Sequence, residues 1–165
     1  MAEAQGSPCW VTFVDLRKAY DSVPHWVIAQ SLKAVGFTEA TIATILRIYM
    51  DNTAQVITPW GLMAPQRINI GVRQGDPLSP VLFNIVLDQI LHQLEAIPGC
   101  TILAYADDIC IITADQQTMQ VCVATLDQEG GKQNLWINGG KSGFMVVNGP
   151  PHHPPWNWLR VTFPA

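Results

Sequence analysis

Charge is scarce in this sequence. Asp, Glu, Lys and Arg together make up 13% of 165 residues, about half the usual share. With 48% of residues apolar, that scarcity excludes an intrinsically disordered chain, and the length suffices for one domain with its own core. Positive charge is scarcer still, 9 Lys and Arg against 13 Asp and Glu, for a formal net charge of −4. A protein that neutralises phosphates leaves a basic footprint, and none is present here. Either the partner is not nucleic acid, or the basic surfaces lie on parts of the protein outside this chain.

Long apolar runs are missing too, so no segment has the length needed to span a bilayer. The first residues, Met-Ala-Glu-Ala-Gln-Gly-Ser-Pro, carry an acid and no basic cluster, unlike a secretory signal. An intracellular protein, nuclear or cytoplasmic, with no membrane partner is expected. Cysteine is sparse: Cys9, Cys100, Cys110 and Cys122 form no Cys-x-x-Cys pair and have no histidine at zinc-finger spacing. Cys100, Cys110 and Cys122 sit among apolar residues and read as buried free thiols. Internal repeats and low-complexity tracts are absent as well.

What is present is an irregular alternation of strand and helix signals. Trp10 to Val14 reads as a strand ending at Asp15. Ser22-Val23-Pro24 offers a helix start, with Gly36 closing that helix after Val35. Thr38 caps a second helix whose apolar stripe is Ile42, Ile45, Leu46 and Tyr49. Residues 54–70 read as a hairpin, Gln55 to Thr58 and Arg67 to Ile70 around a Pro-Trp-Gly turn. Ser79-Pro80 opens a buried helix to about Ala96, and Pro98-Gly99 ends it. A second hairpin, Thr101 to Tyr105 and Ile109 to Thr113, holds Ala106-Asp107-Asp108 in its turn. Asp115 caps a helix to about Glu129, stopped by Gly130-Gly131. Short strands follow at Leu135 to Ile137 and Phe144 to Val147, then a proline-rich loop over 148–156 and a last strand from Trp158 to Val161. The pattern favours an α+β fold, a sheet packed on helices, over a doubly wound one.

The carboxylates carry the chemical signal. Asp15 closes an apolar strand, and Asp107-Asp108 occupy the turn of an apolar hairpin. An acid at the end of a buried strand is costly unless paired or metal-bound. Acids that repel one another are relieved by Mg²⁺, which prefers hard carboxylate oxygens and keeps waters and phosphates as further ligands. Two such ions about 4 Å apart activate a sugar hydroxyl and stabilise a leaving pyrophosphate. Turn acids also arise for purely local hydrogen-bonding reasons. Strand alternation makes Asp107 the stronger ligand candidate and Asp108 the weaker.

These residues resemble the palm motifs of reverse transcriptases. Phe13-Val14-Asp15-Leu16-Arg17-Lys18-Ala19-Tyr20-Asp21-Ser22-Val23 is similar to the first motif. Gly71-Val72-Arg73-Gln74-Gly75-Asp76-Pro77-Leu78-Ser79-Pro80 is similar to the second, and Tyr105-Ala106-Asp107-Asp108 to the third. Ile137-Asn138 with Lys141-Ser142 resembles the fourth, and Trp158-Leu159-Arg160-Val161 the primer grip. The Tyr-Ala-Asp-Asp turn alone is a weak match; the long second motif and the family order are specific. The wording resembles non-LTR retrotransposons and group II introns. A viral RNA-dependent RNA polymerase would carry glycine before the paired aspartates and a polar group in place of Tyr20.

The resemblance implies a right-hand polymerase palm with a central antiparallel sheet, spanning residues 1–165 as one domain. It implies an RNA-directed DNA polymerase that takes an RNA template, a DNA primer and dNTPs. Asp15 and Asp107 would hold two Mg²⁺ ions, for which Mn²⁺ can substitute, with Asp108 adjoining and the Leu16 backbone carbonyl as an extra ligand. Tyr20 would lie under the incoming sugar and exclude a 2′-hydroxyl by its bulk. Arg73, Gln74 and Gly75 would meet the nucleotide and template base. Lys141 would protonate the leaving pyrophosphate. Arg17 and Lys18 suit a triphosphate contact and ordinary surface charge equally. Leu159, Arg160 and Val161 would form the primer grip.

Three features depart from the pattern. Gly130-Gly131 and Gly139-Gly140 bracket the fourth motif, where glycine loosens a segment meant to hold Lys141. Arg160 stands where the primer grip commonly has glycine, and His152-His153 lie within the proline-rich stretch. Most of the fingers, expected before Trp10, and the thumb, expected after the primer grip, are not in this chain, and their basic surfaces would account for an acidic palm. The competing expectation is a non-catalytic retroelement remnant, or a domesticated palm that binds nucleic acid or protein. Intact Asp15, Asp107 and Asp108 speak against long inactivity.

Overall fold

The computed structural model describes residues 6–50, 52–148 and 157–158. Two compact units are distinguished, Tyr20–Leu87 and the remainder, Met1–Ala19 with Asp88–Ala165. Among the described residues no helix is long and apolar enough to cross a membrane.

The larger unit is built on β1 (Cys9–Val14), β6 (Cys100–Tyr105), β7 (Asp108–Thr113), β8 (Gly143–Val147) and β9 (Asn157–Trp158). They form one antiparallel sheet in the order β6-β7-β1-β8-β9. The period of two in β1 puts Trp10, Thr12 and Val14 inside and leaves Phe13 exposed. In β7 the inward set is Ile109, Ile111 and Thr113. Helix α5 (Gln116–Lys132) packs across β7, β1 and β6 and meets them with Met119, Cys122, Val123 and Leu126, a helical period. Each large apolar side chain buried in this way contributes about 1.5–3 kcal/mol. Asp115 caps α5, its carboxylate accepting from the Thr118 N–H at 2.8 Å.

Helix α5 does not stop at Gly130-Gly131 as expected but continues to Lys132. The glycines serve packing instead: a Cβ on Gly130 would stand 2.5 Å from the Leu135 carbonyl oxygen, and one on Gly131 would stand 2.9 Å from the Trp136 ring. Beyond the Gln133 cap, Asn134 takes φ +60°, while Leu135 and Asn134 donate to the carbonyls of Gly130 and Gly131. The expected strand over Leu135–Ile137 shrinks to a single bridge, Leu16 to Ile137.

In the smaller unit, a single helical turn α1 (Ala19–Ser22), which begins one residue before the unit boundary, precedes α2 (His25–Ala34). The start of α2 has no side-chain cap. Its end is as expected: Gly36 takes φ +95°, and Gly36 and Phe37 donate to the Lys33 and Leu32 carbonyls. Helix α3 (Glu39–Met50) starts at Thr38, whose hydroxyl accepts from the Thr41 N–H, and buries Ile42 and Tyr49. The hairpin over 54–70 is a nested pair of short ribbons. β2 (Thr53–Ala54) pairs with β5 (Gln66–Arg67), and β3 (Ile57–Thr58) pairs with β4 (Gly61–Leu62). Helix α4 (Leu78–Glu95), which belongs to this unit up to Leu87, starts one residue before Ser79, because Asp76 supplies the acceptors for the Leu78 and Ser79 N–H groups. Val23, Val27, Ile28 and Leu32, with Leu82, Phe83, Val86 and Leu87 of α4, complete this core.

Candidate active site

The exit of β1 is stitched to residues 136–138. The Asn138 N–H donates to the Asp15 carbonyl and the Arg17 N–H to the Trp136 carbonyl, both at 2.8 Å. Neither bond uses the Leu16 carbonyl. The Asp15 N–H donates to the buried Ser142 hydroxyl at 3.0 Å, and Asn138 Nδ2 donates to Asp15 Oδ2 at 2.8 Å. Lys18, the residue before α1, takes φ +45°.

The β6–β7 turn is tighter than expected. Tyr105 pairs directly with Asp108, so Asp108 belongs to β7 and the turn holds only Ala106 and Asp107. Ala106 takes φ +52°, a left-handed conformation that costs an alanine roughly 1–2 kcal/mol. Asp108 therefore starts β7 on the face opposite to Ile109, Ile111 and Thr113 and is exposed. A cavity of about 510 Å³ is lined by Asp15, Asp108 and Lys141 together with Phe13, Val14, Leu103, Ala104, Tyr105, Ile109 and Cys110. Asp107, half-buried in the turn, is not among the lining residues.

Among the described residues no three acids, histidines or cysteines stand close enough to hold a metal ion by themselves. Asp15 and Asp108 offer hard oxygens on one cavity, which suits an ion that completes its shell with water and phosphate, the habit of Mg²⁺. The fit is therefore to a substrate-assisted site and not to a closed protein cage.

Tyr20, Arg73, Gln74 and Gly75 lie in the Tyr20–Leu87 unit. The Tyr20 carbonyl accepts from the Val72 N–H at 2.7 Å, and the Val23 carbonyl from the Gly71 N–H at 2.8 Å. Gln74 Nε2 donates to Asp21 Oδ1 at 3.2 Å. These bonds fasten the first motif to the second. Arg73, Gln74 and Gly75 are exposed, and Gly75 takes φ +86° with open space around its α-carbon. Leu159, Arg160 and Val161 lie outside the described residues.

Sequence reasoning named no role for Asn138, Ser142 or Asp76. Asn138 and Ser142 stand within the fourth motif, but their contact with Asp15 spans more than a hundred residues and leaves no local signal. Asp76 also accepts from the Tyr49 hydroxyl at 3.2 Å, and burial foremost pushes the Tyr49 phenol up from its ordinary value.

Residues 1–163 match the family described as reverse transcriptase (RNA-dependent DNA polymerase). This chain belongs to the reverse transcriptase family. It is 33% identical over 147 residues to the Pol polyprotein of the type-1 retrotransposable element R2 of Popillia japonica, covering 83% of this chain and 21% of that protein. It is 32% identical over 153 residues to the polyprotein of element R2DM of Drosophila melanogaster, covering 87% and 14%. A Saccharomyces cerevisiae intron protein, putative COX1/OXI3 intron 2 protein, is 29% identical over 90 residues, covering 52% and 10%. The chain thus spans about a fifth of the length of the R2 polyprotein from Popillia. Among solved structures, apo telomerase from Candida tropicalis, truncated from its C-terminal domain, superposes with a TM-score of 0.65 at 17% identity, covering 91% of this chain and 33% of that one. That likeness supports the α+β polymerase fold, here a partial reverse transcriptase palm. Reverse transcriptases as a family work with a divalent metal, which agrees with two carboxylates lining one cavity.

Proposed function

We propose that this chain is the palm of an RNA-directed DNA polymerase of a non-LTR retroelement, working inside a longer protein on an RNA template and a DNA primer. The observation that carries the proposal is the convergence of Asp15, Asp108 and Lys141 on one cavity at the end of the sheet. Asp15, Asp107 and Asp108, with the Leu16 carbonyl, would hold two Mg²⁺ ions, and Mn²⁺ would serve in their place. When bound, the ions lower the pKa of the primer 3′-hydroxyl and neutralise charge on the leaving pyrophosphate.

The protein's own residues do the rest. Lys141 holds a proton at Nζ and gives it to the departing pyrophosphate oxygen. Tyr20 excludes a 2′-hydroxyl from the sugar site. Arg73, Gln74 and Gly75 position the nucleotide against the template, and Arg17 and Lys18 lie where triphosphate charge falls. Leu159, Arg160 and Val161, reached through residues 148–156, would steady the primer. Fingers and thumb would come from the rest of the longer protein, and the whole would act in the nucleus or cytoplasm.

The test is primer extension on an RNA template by the full-length protein containing this chain. Asp15→Asn and Asp108→Asn are expected to lower Mg²⁺-dependent extension by roughly 10³-fold or more. Retained activity in either variant overturns the assignment and favours a palm that binds without catalysing.

A further inference from the structure

We propose that Asn138 is the positioning residue for the Asp15 carboxylate, an inference that rests on the polymerase reading above. A carboxyl group at the end of an aspartate side chain rotates in a broad two-fold well. Unheld, it would present a different oxygen to an incoming cation from one moment to the next. Asn138 removes that freedom: its Nδ2 donates to Asp15 Oδ2 at 2.8 Å. A carboxylate only accepts, so the amide nitrogen must face it, which fixes the orientation of the Asn138 amide as well. Oδ1 and the spare lone pairs of Oδ2 are left for a ligand.

An amide is the right group for this task. A lysine or arginine there would hold the carboxylate equally well but would neutralise it and repel a cation. An aspartate would repel Asp15 itself. A neutral donor orients the charge and leaves it intact, which is how ligating carboxylates are commonly supported.

Asn138 also joins two parts of the cavity. Its N–H donates to the Asp15 carbonyl at 2.8 Å, and its carbonyl accepts from the Lys141 and Ser142 N–H groups at 3.0 and 2.9 Å. One residue therefore sets the plane of the Asp15 carboxylate and the start of the turn that presents Lys141. Gly139 and Gly140, whose flexibility would otherwise loosen this segment, lie inside a turn closed at both ends by these bonds.

The experiment uses the full-length protein and reads Mn²⁺ binding by electron paramagnetic resonance, with Asn138→Ala and the near-isosteric Asn138→Leu as paired variants. Both are followed by circular dichroism so that affinities are compared on folded protein. Expected is a loss of Mn²⁺ affinity of roughly tenfold or more in each folded variant. Primer extension should then need correspondingly more Mg²⁺, and saturating Mg²⁺ should restore most of its rate. Wild-type Mn²⁺ affinity in either folded variant overturns the inference, because the carboxylate is then held without Asn138. An Asp15→Asn arm separates this from failure of the polymerase reading. If Asp15→Asn leaves Mn²⁺ binding unchanged, Asp15 is no ligand and the reading itself falls.

Discussion

The ring of Tyr20 lies stacked on the ring of Phe83, with centroids 4.8 Å apart and planes 15° from parallel. Phe83 comes from α4 and is fully buried, so the tyrosine rests on a wall that cannot yield. Such pairs contribute about 0.5–1.5 kcal/mol beyond the area they bury. If Tyr20 excludes ribonucleotides by bulk, it needs that backing as much as its own ring.

In the full-length polymerase, Tyr20→Ala is therefore expected to relax discrimination against ribonucleotides by roughly tenfold or more, read as the ratio of kcat/KM for dNTP and rNTP. Tyr20→Phe should keep discrimination, since the ring and not the hydroxyl does the excluding. Phe83→Leu should give an intermediate value, because the ring loses its flat backing while a smaller apolar side chain still fills part of the space. Unchanged discrimination in Tyr20→Ala would show that the gate lies elsewhere.

Gly71 and Gly75 share the second motif and a positive φ, +89° and +86°, yet they should respond differently to a methyl group. A Cβ on Gly71 would stand 2.8–2.9 Å from backbone atoms of Asp21, whereas one on Gly75 would meet nothing within 4 Å. Gly71→Ala adds a backbone clash to conformational strain and is expected to cost about 1–3 kcal/mol or more. Gly75→Ala should cost only the strain. If Gly75 lets the backbone approach a nucleotide closely, extension by Gly75→Ala should fall further than its thermal stability predicts. Equal losses of stability in the two variants would refute the close packing at Gly71.

Much of the site was legible because its signals are local. Asp15 ends an apolar strand, the Tyr105–Asp108 turn sits between two β-rich runs, and Gly36 and Thr38 mark helix ends by chemistry that acts within one turn of chain. The misreadings concern glycine and distance. Gly130-Gly131 look like helix breakers to any local rule, but the Leu135 carbonyl and Trp136 ring need the space their side chains would fill. The start of β7 at Asp108, one residue before the expected Ile109, depends on pairing with Tyr105 across the turn, which no single run of residues encodes. The tie between Asn138 and Asp15 bridges 123 positions, and spacing cannot reveal it.

Asp127, on α5, has one carboxylate oxygen buried without a hydrogen-bond partner. Burial raises its pKa, and the Arg17 charge opposes the rise only in part. A carboxyl with a raised folded-state value favours the folded protein while protonated and disfavours it once ionised. Its contribution is fully present below the ordinary aspartate value near 3.9 and is lost as pH rises through the folded value. Asp127→Asn should therefore raise the Tm at pH 7, and the gain should shrink to nothing below about pH 4. A lower Tm at pH 7 would mean that the Arg17 attraction outweighs the burial.

The Cys122 thiol sits fully buried on the inner face of α5. Burial foremost, then Cys100, pushes its pKa up to about 12. Two outcomes follow from the sign of that shift. At pH 8 the thiolate fraction is negligible, so iodoacetamide should leave Cys122 unlabelled in the folded protein and reach it only on unfolding. Mass spectrometry of the alkylated peptides reads this directly, and rapid native labelling would contradict the packing of α5 on the sheet. In an unfolded chain the thiol ionises near 8.5, so its protonated form favours the folded state fully below that pH. The advantage is lost progressively as pH rises towards about 12. Cys122→Ala should lower the Tm at pH 7, because it leaves a cavity beneath the sheet, yet it should flatten the alkaline fall in Tm between about pH 9 and 11. An alkaline slope identical to wild type would assign that loss to other groups.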